Sequence, residues 1–253
     1  MLTLGVDLAA ATRKTAAAVL EWRDGGARLT HLALDVGDGE IVRLFGSADM
    51  TGIDCPVGWP DAFLPFLAGH LAFEPHPVLD HDGIEGRRLL AYRDTDRFVT
   101  AQTGLIPLSV SADRLAHPAM RCAVIQAKIA MDYGPQARDG SGRLAEVYPA
   151  ASLKSWGLLA RGYKGRGGAE AQRLGELLAG LKQAAPWLDL AGHEDRLAGS
   201  DDMFDALVAA LTARAVSLGA TIRPDATHAR AARTEGWIHL PAGGLGGLSG
   251  TRP

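Results

Sequence analysis

The chain is poor in the features that usually settle a protein's chemistry at a glance. It has only two cysteines, Cys55 and Cys122, in 253 residues, which excludes a disulfide framework. Neither has a neighbour at metal-binding spacing, and the histidines show no zinc pattern. No apolar run is long enough to span a bilayer, and no basic-then-apolar leader opens the chain. A reducing, cytoplasmic setting without a membrane partner is therefore expected. Positive charge is not in excess: the net charge of −3 argues against tight nonspecific binding along a nucleic-acid backbone. Gly-x-Ser-x-Gly elbows, Walker loops and dinucleotide fingerprints are missing as well.

What the chain does have is enough apolar sequence, 47% against 22% charged, to build an ordered core. Residues 2–8 predict a buried strand, 15–22 a second, and 27–35 a third after the turn Arg23-Asp24-Gly25-Gly26. Connections this short imply an antiparallel meander. A short helix over 38–48 and a fourth strand over 50–55 follow, the latter stopped by Pro56. Residues 57–117 read as an irregular insertion, rich in proline, glycine, aspartate and histidine, folded over one end of the sheet. Helices are expected over 118–133, 169–184 and 201–219, and a fifth strand over 143–148. The glycine-rich tail, 242–253, is expected to be mobile, leaving 1–241 as a single domain.

Three strands, a helix, a strand, an insertion, a strand and final helices is the order of the ribonuclease H-like fold. The expected architecture is thus α/β: a mixed five-stranded sheet, a three-strand meander plus two parallel strands, flanked by helices. First and fourth strands would be neighbours, and sites in such sheets lie at the strands' carboxyl ends.

That end is where carboxylates gather. Asp7 closes the first strand, Asp54 closes the fourth, Glu146 lies in the fifth, and Asp202 and Asp205 lie one turn apart at the start of the last helix. Carboxylates brought together at the rim of a sheet repel unless a cation collects them. Each has a plainer reading. Asp7 can cap a turn, Asp54 can belong to one, and Asp202 or Asp205 can serve the helix dipole, as Asp201 is expected to. Glu146 can pair with Arg143 or Lys154. Asp205 lies in the apolar register of Phe204, Leu207 and Leu211, which a cap does not require.

Several local words resemble one known family. They are Gly5-Val6-Asp7-Leu8-Ala9, Gly52-Ile53-Asp54-Cys55-Pro56-Val57-Gly58-Trp59-Pro60, Arg93-Asp94-Thr95-Asp96-Arg97, Glu146-Val147-Tyr148-Pro149-Ala150, the stretch from Asp205 to Ala213, and the stretch from Glu235 to Pro241. The family is bacterial and archaeal, of unknown function, and described as predicted nucleases with a ribonuclease H fold. The resemblance spans residues 4 to 241. One departure is Asp94, where a second arginine is expected. The resemblance implies a metal-dependent nuclease cleaving phosphodiester bonds of DNA or RNA.

Such hydrolysis suits two Mg²⁺ or Mn²⁺ ions roughly 3.5–4 Å apart on hard oxygen ligands. Asp7 is the expected bridge, with Asp54 on one ion and Asp205 on the other. Asp202 is a further candidate ligand, and Glu146 a further ligand or general base. Arg93, Arg97, Lys164 and Thr12 are the expected substrate contacts, because guanidinium, ammonium and hydroxyl groups suit phosphate. Trp59, Trp156 and Trp237 can stack on bases or simply pack. Two other functions remain open. One is a binding module for nucleic acid or protein that keeps the scaffold without the chemistry. The other is an actin-like ATP-dependent phosphotransferase, disfavoured because Ala9-Ala10-Ala11-Thr12 stands where a glycine-rich phosphate loop belongs.

Overall fold

The central strands of the sheet alternate so that each presents one face to each of two helical layers. The computed structural model describes residues 1–111, 113–165 and 167–250. In chain order the elements are β1 (Leu2–Asp7), β2 (Ala16–Arg23), β3 (Gly26–Leu34), α1 (Asp38–Ser47), β4 (Met50–Asp54), α2 (Phe63–Leu71), α3 (Pro75–Leu79), α4 (Gly83–Ala91), α5 (Asp94–Thr103), α6 (Asp113–Tyr133), β5 (Leu144–Glu146), α7 (Pro149–Ser155), α8 (Gly168–Ala184), β6 (Leu188–Asp189), α9 (Glu194–Ala198), α10 (Asp201–Ser217) and α11 (Ala229–Thr234). The sheet order is β5-β4-β1-β2-β3-β6. Strands β1, β2 and β3 form the antiparallel meander, and β4 and β5 run parallel to β1.

This is the expected α/β arrangement with one strand more than predicted. The sixth, β6, is two residues long and pairs parallel with β3 through Ala27 and Leu188, too short to show an alternation in the sequence. Period two is clear in β2. Ala16, Ala18, Leu20 and Trp22 pack with α8 and α10, while Ala17 and Val19 join Ile41, Phe45, Ile125 and Ile129 of α1 and α6 on the other side.

The stretch 57–117 differs from the irregular insertion expected. It contains four helices, α2 to α5. Pro65, Pro75 and Pro77 fall in first turns, where the absent N–H has no intrahelical acceptor to lose, so these prolines start helices instead of breaking them. Helix α6 begins at Asp113 and carries Pro118 inside it, whereas the sequence placed its start at the proline. In the tail, Leu245–Ser249 form a 3-10 turn. Leu245 and Leu248 are buried, and the Arg214 guanidinium donates to the carbonyls of Leu248 and Gly250 at 3.2 and 2.7 Å. Residues 251–253 lie outside the described residues.

The α10 helix positions the site. Ser200 caps it by accepting the Met203 N–H at 3.2 Å, and Gly219, at φ 69°, follows its end. The helix lies directly on β1 and β4 because two glycines let it. A Cβ at Gly5 would stand 2.0 Å from the Ala206 carbonyl oxygen, and one at Gly52 would stand 2.5 Å from that of Ala209. Gly5 and Gly52 are also register partners across the parallel pair.

Candidate metal centre

Two residues beyond those glycines, on the same face of the sheet, come Asp7 and Asp54. They are register partners as well, so their side chains leave adjacent strand ends in the same direction. The second turn of α10 hangs above them and supplies Asp205, which is 1% exposed. One carboxylate oxygen from each of the three aspartates lies within 4.8 Å of the other two. Asp7 and Asp54 line a cleft of about 470 Å³ whose walls also include Tyr148, Arg161 and Lys164.

The electrostatics of this arrangement are unfavourable without a cation. Burial, then the carboxylates of Asp205 and Asp54, push Asp7 well above the usual carboxylate range, against the pull of Lys164. Burial pushes Asp54 up to about 7, although Lys164 opposes it. Burial also raises Asp205, against Lys164 and the Tyr163 hydroxyl. Among the described residues, no hydrogen-bond donor reaches the side chain of Asp7 or Asp54. Asp205 Oδ1 accepts one hydrogen bond, from Tyr163 at 2.8 Å. Its Oδ2 is buried without a hydrogen bond and meets Lys164 Nζ only as an ion pair. Three converging carboxylates, two of them reached by no hydrogen-bond donor among the described residues, fit a hard divalent ion such as Mg²⁺ or Mn²⁺.

The other expected site residues are placed differently. Asp202 lies outside the three-aspartate group, half-buried in the first turn of α10. Glu146 borders the cleft but has its own partner, which is neither Arg143 nor Lys154. Arg93 donates Nη1 to Oε2 at 2.7 Å and Nη2 to Oε1 at 2.6 Å, and the Val57 N–H adds a third bond at 3.1 Å. Arg143 instead caps the carbonyls of Phe45 and Ala48 at 2.6 and 2.9 Å, while Lys154 reaches the Thr103 carbonyl.

Arg93 is itself 1% exposed and also holds Asp96, so it fastens the insertion to the sheet and presents no free fork to a phosphate. Arg97 is on the surface, bonded to the Tyr92 carbonyl at 2.7 Å. Thr12 sits in an exposed 3-10 turn away from the cleft lining. Trp237 is buried and bonds the Ile222 carbonyl at 2.9 Å, Trp156 packs on the core, and Trp59 is half-buried. Arg166 lies outside the described residues.

Sequence reasoning missed three contributors. Tyr163 bonds Asp205, and Asp201, expected only as a helix-end charge, accepts the Gly165 N–H at 3.0 Å. Glu235 clasps the insertion by accepting the backbone N–H groups of Asp61 at 2.8 Å and Asp94 at 2.6 Å. The available signals were the Gly162-Tyr163-Lys164-Gly165 word and the separated acidic residue at 235.

The DUF429 family, described as a protein of unknown function, matches residues 5–229. The chain belongs to that family. The matched span includes Asp7, Asp54, Lys164 and Asp205, and the family description names no reaction. No curated protein and no solved structure matches the chain. No helix among the described residues is long and apolar enough to cross a membrane.

Proposed function

We propose that this chain is a divalent-metal-dependent nuclease that hydrolyses phosphodiester bonds of DNA or RNA. The observation carrying the reading is the convergence of Asp7, Asp54 and Asp205, with one oxygen of each within 4.8 Å of the other two. Asp7, Asp54 and Asp205 would together hold the ions. Bound there, Mg²⁺ or Mn²⁺ ions supply an acidified water and neutralise charge on the phosphate.

The chain's own residues contribute placement. Strand register fixes Asp7 against Asp54, and Tyr163 orients Asp205. Arg161 at the cleft wall, with Lys164, offers positive charge to an incoming phosphodiester. Glu146, engaged by Arg93, holds the wall of the cleft and acts on the reaction only through that geometry.

The test is incubation of the purified protein with end-labelled single- and double-stranded DNA and RNA, with Mn²⁺, Mg²⁺ or chelator. Metal-dependent fragments that disappear in a folded Asp7→Asn variant support the reading. Fragments of equal yield in that variant, or none from any substrate with either metal, overturn it. Binding of nucleic acid without cleavage would favour the module reading, for which Lys164 against Asp205 is the specific structural support.

A further inference from the structure

Lys164 brings a cationic side chain into the acidic cluster. Its ammonium pairs with Asp205 Oδ2, the oxygen left without a hydrogen bond. Half of its side chain, 51%, nonetheless stays exposed. Its charged end meets a buried carboxylate, whereas a lysine usually keeps its head in water.

The backbone around it is fastened to the same helix. Tyr163 on one side bonds Asp205, and the Gly165 N–H on the other bonds Asp201. Gly162 and Gly165 flank the pair at φ 79° and 131°, in the left-handed half of backbone space that glycine enters freely. The loop is thus built to deliver an ammonium to this spot.

Charge counting gives the consequence. Once a bound cation holds all three carboxylates ionised, they and one ammonium leave two negative charges, which that divalent ion cancels. A second divalent ion has to find its oxygens at Asp205, where the ammonium already stands. We infer that Lys164 and a divalent cation are alternative occupants of the Asp205 carboxylate, so that the resting protein takes one ion and admits a second only when Lys164 turns out of the cluster. The inference rests on the metal-centre reading above and specifies how that centre is loaded.

Mn²⁺ titration of the purified protein, followed by calorimetry and by electron paramagnetic resonance, tests it. Wild type is expected to take one Mn²⁺ with an isolated-ion spectrum. Lys164→Met is expected to take a second, at least about tenfold more tightly than wild type, with the spectrum of a coupled pair, because no competing state has to be displaced. Lys164→Arg keeps the charge and is expected to behave as wild type.

A parallel measurement needs no variant. Acetylation of the Lys164 amine by acetic anhydride, read by mass spectrometry, should accelerate about tenfold or more on saturation with Mn²⁺ if the ion displaces it. Equal Mn²⁺ stoichiometry and affinity in wild type and Lys164→Met, or a Lys164 acetylation rate unmoved by saturating Mn²⁺, overturns the inference and leaves the metal centre standing. Absence of Mn²⁺ binding in every protein overturns both.

Discussion

Two groups of buried carboxylates share one cleft, and the fold treats them in opposite ways. Glu146 and Asp96 share one buried guanidinium and receive three hydrogen bonds each: from Arg93 Nη1, Nη2 and the Val57 N–H for one, and from Arg93 N, Nε and Nη2 for the other. Asp7 and Asp54 receive none among the described residues, and Asp205 receives one. A protein that can satisfy carboxylates so completely at Glu146 leaves three others crowded within 4.8 Å a short way along the same cleft. The first group is structural, since it ties α5 to β5. The second costs free energy as it stands, and a bound cation recovers that cost.

The sharpest way to break this contrast is Arg93→Met. Two carboxylates would be left buried without their partner, and a loss of about 3–5 kcal/mol in stability is expected. Chemical denaturation should show that loss equally with and without Mn²⁺. Dependence on metal would place Arg93 in the metal centre.

Asp7→Asn should act in the opposite sense. It removes one of three repelling charges, so the metal-free protein should unfold at a higher temperature. Its Mn²⁺ affinity should fall by more than about a hundredfold, beyond what loss of a residue merely supporting a ligand produces. A lowered unfolding temperature with Mn²⁺ binding intact would contradict the assignment.

Acidity separates the groups next. Asp54 titrates near 7 in the folded chain against an ordinary 3.8, so its neutral form is favoured by folding. That contribution is complete below pH 4 and is lost as pH rises through 7. Melting curves in chelator should therefore show falling stability across that window, and Mn²⁺ should flatten the fall by binding the ionised carboxylate. The smallest effect is expected for Tyr163→Phe, which removes one hydrogen bond to Asp205. About 1 kcal/mol of stability and about tenfold in Mn²⁺ affinity should be lost, by denaturation and calorimetry.

The legible part of the structure is the part with a period. The alternation of β1 and β2 and the acidic ends of β1 and β4 placed Asp7 beside Asp54, and the apolar register of α10 placed Asp205 inward. The helices of the insertion were not legible, because prolines in first turns look like breakers when a sequence is scanned for interruptions. Glu146 was misread for a different reason. Its partner Arg93 lies 53 positions away, and long-range pairing leaves no mark on local spacing. Lys164 was legible as a cation but not as the counter-ion of Asp205. That pairing depends on a loop whose anchors, Tyr163 and Asp201, become neighbours only in the folded chain.

The most direct test is a crystal of the protein soaked in Mn²⁺ and measured at a wavelength where manganese scatters anomalously. A peak coordinated by the carboxylate oxygens of Asp7, Asp54 and Asp205 is expected. No peak at that cluster under saturating Mn²⁺, with Asp205 still held by Lys164, would contradict the metal centre.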